Sequence, residues 1–382
     1  MLLRLLSLFL VLGLSVSAAA APKVPEIEAT SFYLLDAHTG KVLAKKKETE
    51  QLEPASITKI MTAYILFSYL KDNKIKLDDM VDISEEASQK GGSKMFIKAG
   101  TQVSLKDLLR GMIVSPGNDA SIALAEHIAG SEEAFADLMN EYAARLGMHD
   151  SYFVNATGWP HEAHYSTAKD IAAMSLSLIS NFPEFYKIFA EKSFTYGKSP
   201  QGKDITQPNR NSLLWKKGFK ADGIKTGHTE AAGYCLAASA TRGDMRLLSV
   251  VMGTKSKKAR TKNSQSLLNF GFRHFQSKKL FAKNETASTV RVYKGEKPEL
   301  SAGSDKDLFA TVEKVKIKNV RVEIEIDEPL SAPIVKGQKI GKIKALVDDE
   351  IIAEYPLQAL EEIQAGGIFI RLWDSLRLLT GL

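Results

Sequence analysis

The sequence predicts an α/β (α+β) domain, followed by a smaller all-β domain and a short amphipathic helix. Three observations predict this. Helical periodicity dominates residues 56–179, and strand patterns replace it from Gly223 onward. Near residue 284 the composition turns to short β segments separated by Gly, Pro, Asp and Lys. From Ile368 the apolar residues gather on one helical face. A chain of 382 residues holds roughly two domains of about 100–200 residues each, so a large core can form.

Residues 1–20 read as a secretory signal peptide. Met1-Leu2-Leu3-Arg4 gives the positive start, Leu5 to Val16 the apolar run, and Ala18-Ala19-Ala20 the small-residue cleavage site before Ala21. Thr30–Ala37 alternates as a strand, His38-Thr39-Gly40 turns, and Lys41–Lys46 returns as its hairpin partner. Pro54 precedes a helix over Ser56–Tyr69, with Ile60, Met61, Tyr64 and Ile65 at helical spacing. Residues 104–147 read as further helix broken at Pro116-Gly117, and Asp170–Ile179 as another. Tyr234–Ala240 and Met245–Met252 flank a turn at Thr241-Arg242-Gly243-Asp244, and Thr261–Phe275 is a closing helix.

In the β-rich part, strands are expected at Ser288–Tyr293, Phe309–Val312, Val320–Ile326 and Ile340–Val347. The tail places Phe369, Leu372, Trp373, Leu376 and Leu379 on one face, and Arg371, Asp374, Ser375, Arg377 and Thr380 on the other. It is shorter than the ~20 apolar residues of a span, so it reads as a helix lying in a membrane interface. The expected division is therefore 1–20 signal, 21–283 α/β domain, 284–362 β-rich domain and 363–382 anchoring helix.

Composition narrows the function. The net charge of +6 is dispersed. That favours an anionic lipid or wall polymer over nucleic acid as a partner for an exported chain. The single cysteine, Cys235, excludes an internal disulfide framework, and its apolar strand context makes it a buried, inert thiol. The seven histidines are scattered without zinc spacing, so neither a metal nor another cofactor is expected.

Ser56-Ile57-Thr58-Lys59 carries the chemistry. Ser-x-x-Lys at a helix start sets a hydroxyl and an ammonium one turn apart on one face. The pattern also occurs at Ser68/Lys71 and Ser166/Lys169. Ser68 lies late on the helix that Ser56 begins, and Ser166-Thr167 precedes a helix that a hydroxyl would cap. Ser56 sits at a helix N-terminus, where backbone N–H groups can stabilise an oxyanion. Lys225-Thr226-Gly227, on an expected edge strand, adds a second cation, a hydroxyl and a glycine that lets a substrate backbone lie close.

With these motifs the chain resembles the low-molecular-weight penicillin-binding proteins, specifically the type-5 D-alanyl-D-alanine carboxypeptidases. The likeness runs from about residue 25 to the end. It includes Pro54–Thr62, Gly117-Asn118-Asp119-Ala120-Ser121, Gln207-Pro208-Asn209-Arg210-Asn211 and Asp222–Thr229. The resemblance implies an antiparallel five-stranded sheet covered by helices, and a serine acyl-enzyme mechanism. Ser56 would attack the bond between the last two D-alanines of a peptidoglycan stem peptide, and β-lactams would acylate it too. Lys59 would take the proton, the N–H groups of Ser56 and His228 would form the oxyanion hole, and Asn118 would hold the substrate carbonyl. Lys225, Thr226 and Arg260 would hold the terminal carboxylate beside Gly227, with Arg210 in support. The place implied is the outer face of the inner membrane, with residues 366–382 on the lipid.

The chain departs from the family in the middle motif. Where the family has Ser-x-Asn, this sequence has Pro116-Gly117-Asn118. Pro116 has neither a hydroxyl nor a backbone N–H, and Ser115 is the nearest candidate proton relay. Two other functions follow from the same residues. A class A β-lactamase shares two motifs but needs a water-activating Glu, for which residues 154–170 offer only Glu162. A catalytically impaired penicillin- or peptidoglycan-binding scaffold would follow from the loss at Pro116.

Overall fold

The structure is a computed structural model that describes residues 22–380. The expected signal segment, residues 1–20, lies outside the described residues. A five-stranded antiparallel sheet forms the centre, from β1 (Ser31–Asp36), β2 (Val42–Lys46), β3 (Ala221–Thr229), β4 (Gly233–Arg242) and β5 (Met245–Thr254). Its order is β2-β1-β5-β4-β3, so β3, which bears Lys225-Thr226-Gly227, is an edge. The two faces of the sheet bury different cores. One packs on helices drawn from residues 59–190, the other on the helix Lys257–His274.

Helix α1 (Lys59–Lys71) runs through the larger core, with Ile60, Met61, Ala63, Ile65, Leu66 and Phe67 all fully buried. A helix apolar all round has to be enclosed by others. Here α2 (Leu105–Ile113), α3 (Asn118–Ala129), α4 (Glu132–Arg145) and α5 (Ala168–Asn181) enclose it. Caps explain where these helices start. Ser104, Ser131 and Thr167 accept from the N–H groups of Asp107, Ala134 and Asp170. The closing helix begins at Lys257, four residues before its expected start, because the Ser256 hydroxyl caps it by accepting from Ala259 N–H.

Strand Phe275–Phe281 follows that helix directly and pairs with Leu308–Glu313 of the β-rich part. A six-stranded sheet completes it, and includes three strands the sequence pattern did not suggest, the short Leu330–Ser331, Glu299–Gly303 and Glu350–Ala359. Glu350–Ala359 is hidden by Pro356. It is tolerated because Pro356 pairs only with Lys342, while the strand's other edge is engaged solely through Gln358 and Ala359. The two parts meet at the β1–β2 turn. There Ser277 donates to Asp36 Oδ2 at 2.6 Å, and His38 stacks on Phe309 with ring centroids 4.1 Å apart.

The tail helix α6 takes its label after the helices above and spans Ile368–Thr380. Its expected apolar face is open to solvent, with Phe369 and Leu379 about 84% and 85% exposed. Asp374, expected on a solvated face, is buried instead and accepts from Lys294 N–H at 2.6 Å. The helix therefore docks by its polar side. No helix among the described residues is long and apolar enough to cross a membrane.

Candidate active site

The site is assembled where α1 begins. Residues Ala55–Thr58 form a single tight 3-10 turn before α1, and Ala55 is held at φ 48°, a left-handed value unusual for a residue with a side chain. Gly158 closes against this turn, and a Cβ there would lie 1.8 Å from the Ala55 carbonyl oxygen. Thr58 is tied from the other side by a 2.8 Å bond to His164 Nε2. Val154 N–H donates to His164 Nδ1, so Nε2 carries the proton and donates to the Thr58 hydroxyl. Burial lowers the His164 pKa to about 4, with a smaller push from His161. The imidazole is therefore neutral.

Ser56 opens onto a cleft of about 610 Å³, while Lys59 lies buried behind it. The Lys59 ammonium donates to Ser56 Oγ at 3.0 Å, to Asn118 Oδ1 at 2.7 Å and to the Thr157 carbonyl at 3.0 Å. Burial first, and the Arg210 guanidinium second, lower its pKa to about 7, against Asp119 and Glu132, which raise it. Lys225 is also buried, and its pKa lies well below the usual lysine range. Burial is the main cause, followed by the like charges of Lys59, Arg210 and Arg260. Its one side-chain bond among the described residues is a 3.3 Å contact with the Thr226 carbonyl.

Most of the expected residues converge. Ser56, Asn118, Thr226, Gly227, His228, Arg210 and Arg260 all line the cleft. Arg260 donates to the Gly227 carbonyl at 3.1 Å, and its buried Nε–H has no partner among the described residues. Burial brings its pKa down to about 10. Gly227 differs in its reason. A Cβ there would meet the Pro54 carbonyl oxygen at 2.7 Å, so the turn that carries Ser56 itself demands the glycine.

Pro116 lines the cleft, and Ser115 does not. Ser115 is buried and makes no side-chain hydrogen bond to Lys59, Asn118 or Lys225. The chain turns at Pro116 between α2 and α3. Glu162 is exposed and lies outside the cleft lining. The other two Ser-x-x-Lys serines are engaged elsewhere. Ser68 accepts from the Tyr142 hydroxyl, and Ser166 bonds Ser151. Cys235 is buried and free, and burial raises its pKa to about 11.

Several contributors were missed from sequence. Asn155 Oδ1 accepts from the N–H groups of Thr157, Gly158 and Trp159, forming the turn that aims the Thr157 carbonyl at Lys59. The Asn-Ala-Thr-Gly run carries that turn signal. Asp119 accepts from Met95 and Phe96 N–H and holds the segment bearing Ser93 against the site. Tyr234 lies under Arg260 and beside His228, with ring centroids 3.9 Å apart for the latter pair. Nothing local in the sequence marks Tyr234.

A hydroxyl bonded to a buried, low-pKa lysine, with a lysine-bearing sheet edge on the opposite wall, defines the penicillin-recognising serine acyltransferase class. Comparison with known proteins agrees. Residues 17–256 match the family profile described as D-alanyl-D-alanine carboxypeptidase, and residues 275–365 match that of the penicillin-binding protein 5 C-terminal domain. The chain belongs to the D-alanyl-D-alanine carboxypeptidase family. It is 42% identical over 374 residues to D-alanyl-D-alanine carboxypeptidase DacC of Escherichia coli K12, covering 96% of this chain and 92% of that one. To DacA of Haemophilus influenzae it is 42% identical over 92% of this chain and 89% of the relative. The crystal structure of penicillin-binding protein 5 from Haemophilus influenzae superposes with a TM-score of 0.80 at 41% identity, covering 90% of this chain and 99% of that one. Penicillin-binding protein 6B from Escherichia coli gives 0.72 at 36% identity, covering 88% and 96%.

Proposed function

We propose that the chain is a serine-type D-alanyl-D-alanine carboxypeptidase that trims peptidoglycan stem peptides and is acylated by β-lactams. The observation that carries this is the 3.0 Å bond from Lys59 Nζ to Ser56 Oγ, with the amine poised near pH 7. A base matched to neutral pH can take the serine proton as the bond to carbon forms. Ser56 Oγ attacks the penultimate carbonyl carbon, and its proton passes to neutral Lys59. The C–N bond then breaks, and the leaving D-alanine nitrogen takes the proton that Lys59 has just received, which returns Lys59 to its neutral form. Water next attacks the ester carbon and the bond to Ser56 Oγ breaks: the hydroxyl stays on the acyl carbon as the carboxyl of the shortened peptide, and the water proton returns to Ser56 Oγ. Lys225, Thr226 and Arg260 bind the terminal carboxylate through charge-assisted bonds, and Arg210 adds to burial in lowering the Lys59 pKa. Asn118 retains one amide N–H for the substrate, because the other donates to Gly91 O at 2.8 Å.

We read residues 21–283 as the catalytic domain, 284–362 as a β-rich spacer and 363–382 as an anchor, after export directed by residues 1–20. The exposed apolar residues of α6 support a protein held on the outer face of the inner membrane. The test is D-alanine release from a peptide ending in D-Ala-D-Ala by the chain from residue 21, with Ser56→Ala as control. Release that depends on Ser56 is expected. Penicillin labelling without any release would instead leave a binder, and labelling that persists in Ser56→Ala would remove the nucleophile assignment.

A further inference from the structure

We propose that the cavity between α6 and the β-rich domain binds the phosphate of an anionic phospholipid. The inference rests on the anchoring reading above and adds to it a headgroup site built partly by the β-rich domain. The cavity measures about 340 Å³ and is lined by Arg291, Trp373, Leu376, Arg377 and Thr380. Its two cations come from different elements, Arg291 from strand Thr286–Tyr293 and Arg377 from the helix.

Both guanidiniums are available. Arg291 makes no ion pair among the described residues, although Glu299 stands opposite it in the ladder. Arg377 reaches Asp374 only at 3.8 Å, and the other carboxylate oxygen of Asp374 already accepts the 2.6 Å bond from Lys294 N–H. Each guanidinium lies over an aromatic ring, Arg291 on Tyr293 at 4.8 Å and Arg377 on Trp373 at 5.3 Å from the ring centroids. Such rings hold the planar forks that suit phosphate oxygens.

The apolar wall identifies the source of the phosphate. Trp373 and Leu376 are more than half exposed in the same cavity, which a free phosphate ion would not use and a lipid with acyl chains would. Tryptophan also favours the headgroup level of a bilayer. The bond from Lys294 N–H to Asp374 fixes the helix against the strand, so cations and apolar residues reach the membrane together.

The experiment is sedimentation of the chain from residue 21 with vesicles of phosphatidylcholine alone or mixed with phosphatidylglycerol. The wild-type chain is expected to prefer the anionic vesicles. Arg291→Gln, with unchanged penicillin labelling and melting, is expected to lose about fivefold of that preference, the effect of one basic side chain near an anionic surface. Its binding to neutral vesicles should stay as in wild type. An unchanged preference in Arg291→Gln, or equal wild-type binding to both vesicles, overturns the headgroup site while leaving the anchor standing. Wild-type binding to neither, or binding that survives deletion of residues 366–382, overturns the anchor itself.

Discussion

Asn118 Oδ1 accepts a 2.7 Å hydrogen bond from Lys59 Nζ across 59 residues of sequence. That bond and its companion from Asn118 Nδ2 to Gly91 O fix the amide orientation and aim the lysine at Ser56. Asn118→Asp places a carboxylate against the ammonium and so stabilises its charged form. The Lys59 pKa then rises, and acylation near neutral pH should fall while recovering in alkali. A fluorescent-penicillin labelling rate measured against pH checks this, and an unshifted profile would count against Lys59 as the base.

The wild-type profile is itself a prediction. The neutral amine is the active form, so labelling should rise about tenfold per pH unit below a midpoint near 7 and then level off. Arg210 is the second cause of the low value. Arg210→Gln removes a positive charge, raises the Lys59 pKa and moves the rising limb to higher pH. A limb that stays in place would show that Arg210 does not tune the lysine.

Pro116→Ser restores a hydroxyl at a position that lines the cleft, whereas Ser115 lies outside it. A positioned proton-transfer group is typically worth about 10²–10⁴-fold. D-Alanine release by Pro116→Ser should therefore increase by roughly tenfold or more, and Ser115→Ala should leave the wild-type rate unchanged. Loss of activity in Ser115→Ala would mean that its hydroxyl reaches the substrate.

His164 links stability to pH. Its folded pKa of about 4 lies below the ordinary 6.5, so the unfolded chain takes up the proton first as the pH falls. Stability is full above about 6.5 and declines toward pH 4, by about 3 kcal/mol. Denaturant titrations should show this slope in wild type and a flatter one in His164→Gln. Equal slopes in both would assign the effect to other groups.

Gly227→Ala should push β3 away from the turn that carries Ser56, because its Cβ would meet the Pro54 carbonyl oxygen at 2.7 Å. Overpacking of this kind costs about 1–3 kcal/mol. Both the melting temperature and the penicillin labelling rate should drop. A variant with normal melting but weak peptide binding would favour a direct role for the glycine at the substrate.

The sequence by itself determined whatever depends on neighbours along the chain. The one-turn offset of Ser56 and Lys59, the strand character of Lys225-Thr226-Gly227, the capped helices and the apolar stripe of the tail are all set by local periodicity and turn chemistry. The tertiary structure alone decided what depends on distant segments. It buried Lys59 against the Thr157 carbonyl, set Tyr234 beneath Arg260, kept Ser115 out of the cleft and docked Asp374 on Lys294. Strand Glu350–Ala359 belongs with these, since only its one-sided pairing at Pro356 makes it admissible. The physical reason is common to them. A side chain's type fixes which bonds it can make, but desolvation and partner geometry arise only when segments far apart in sequence pack together, and these lower the Lys59 pKa to about 7.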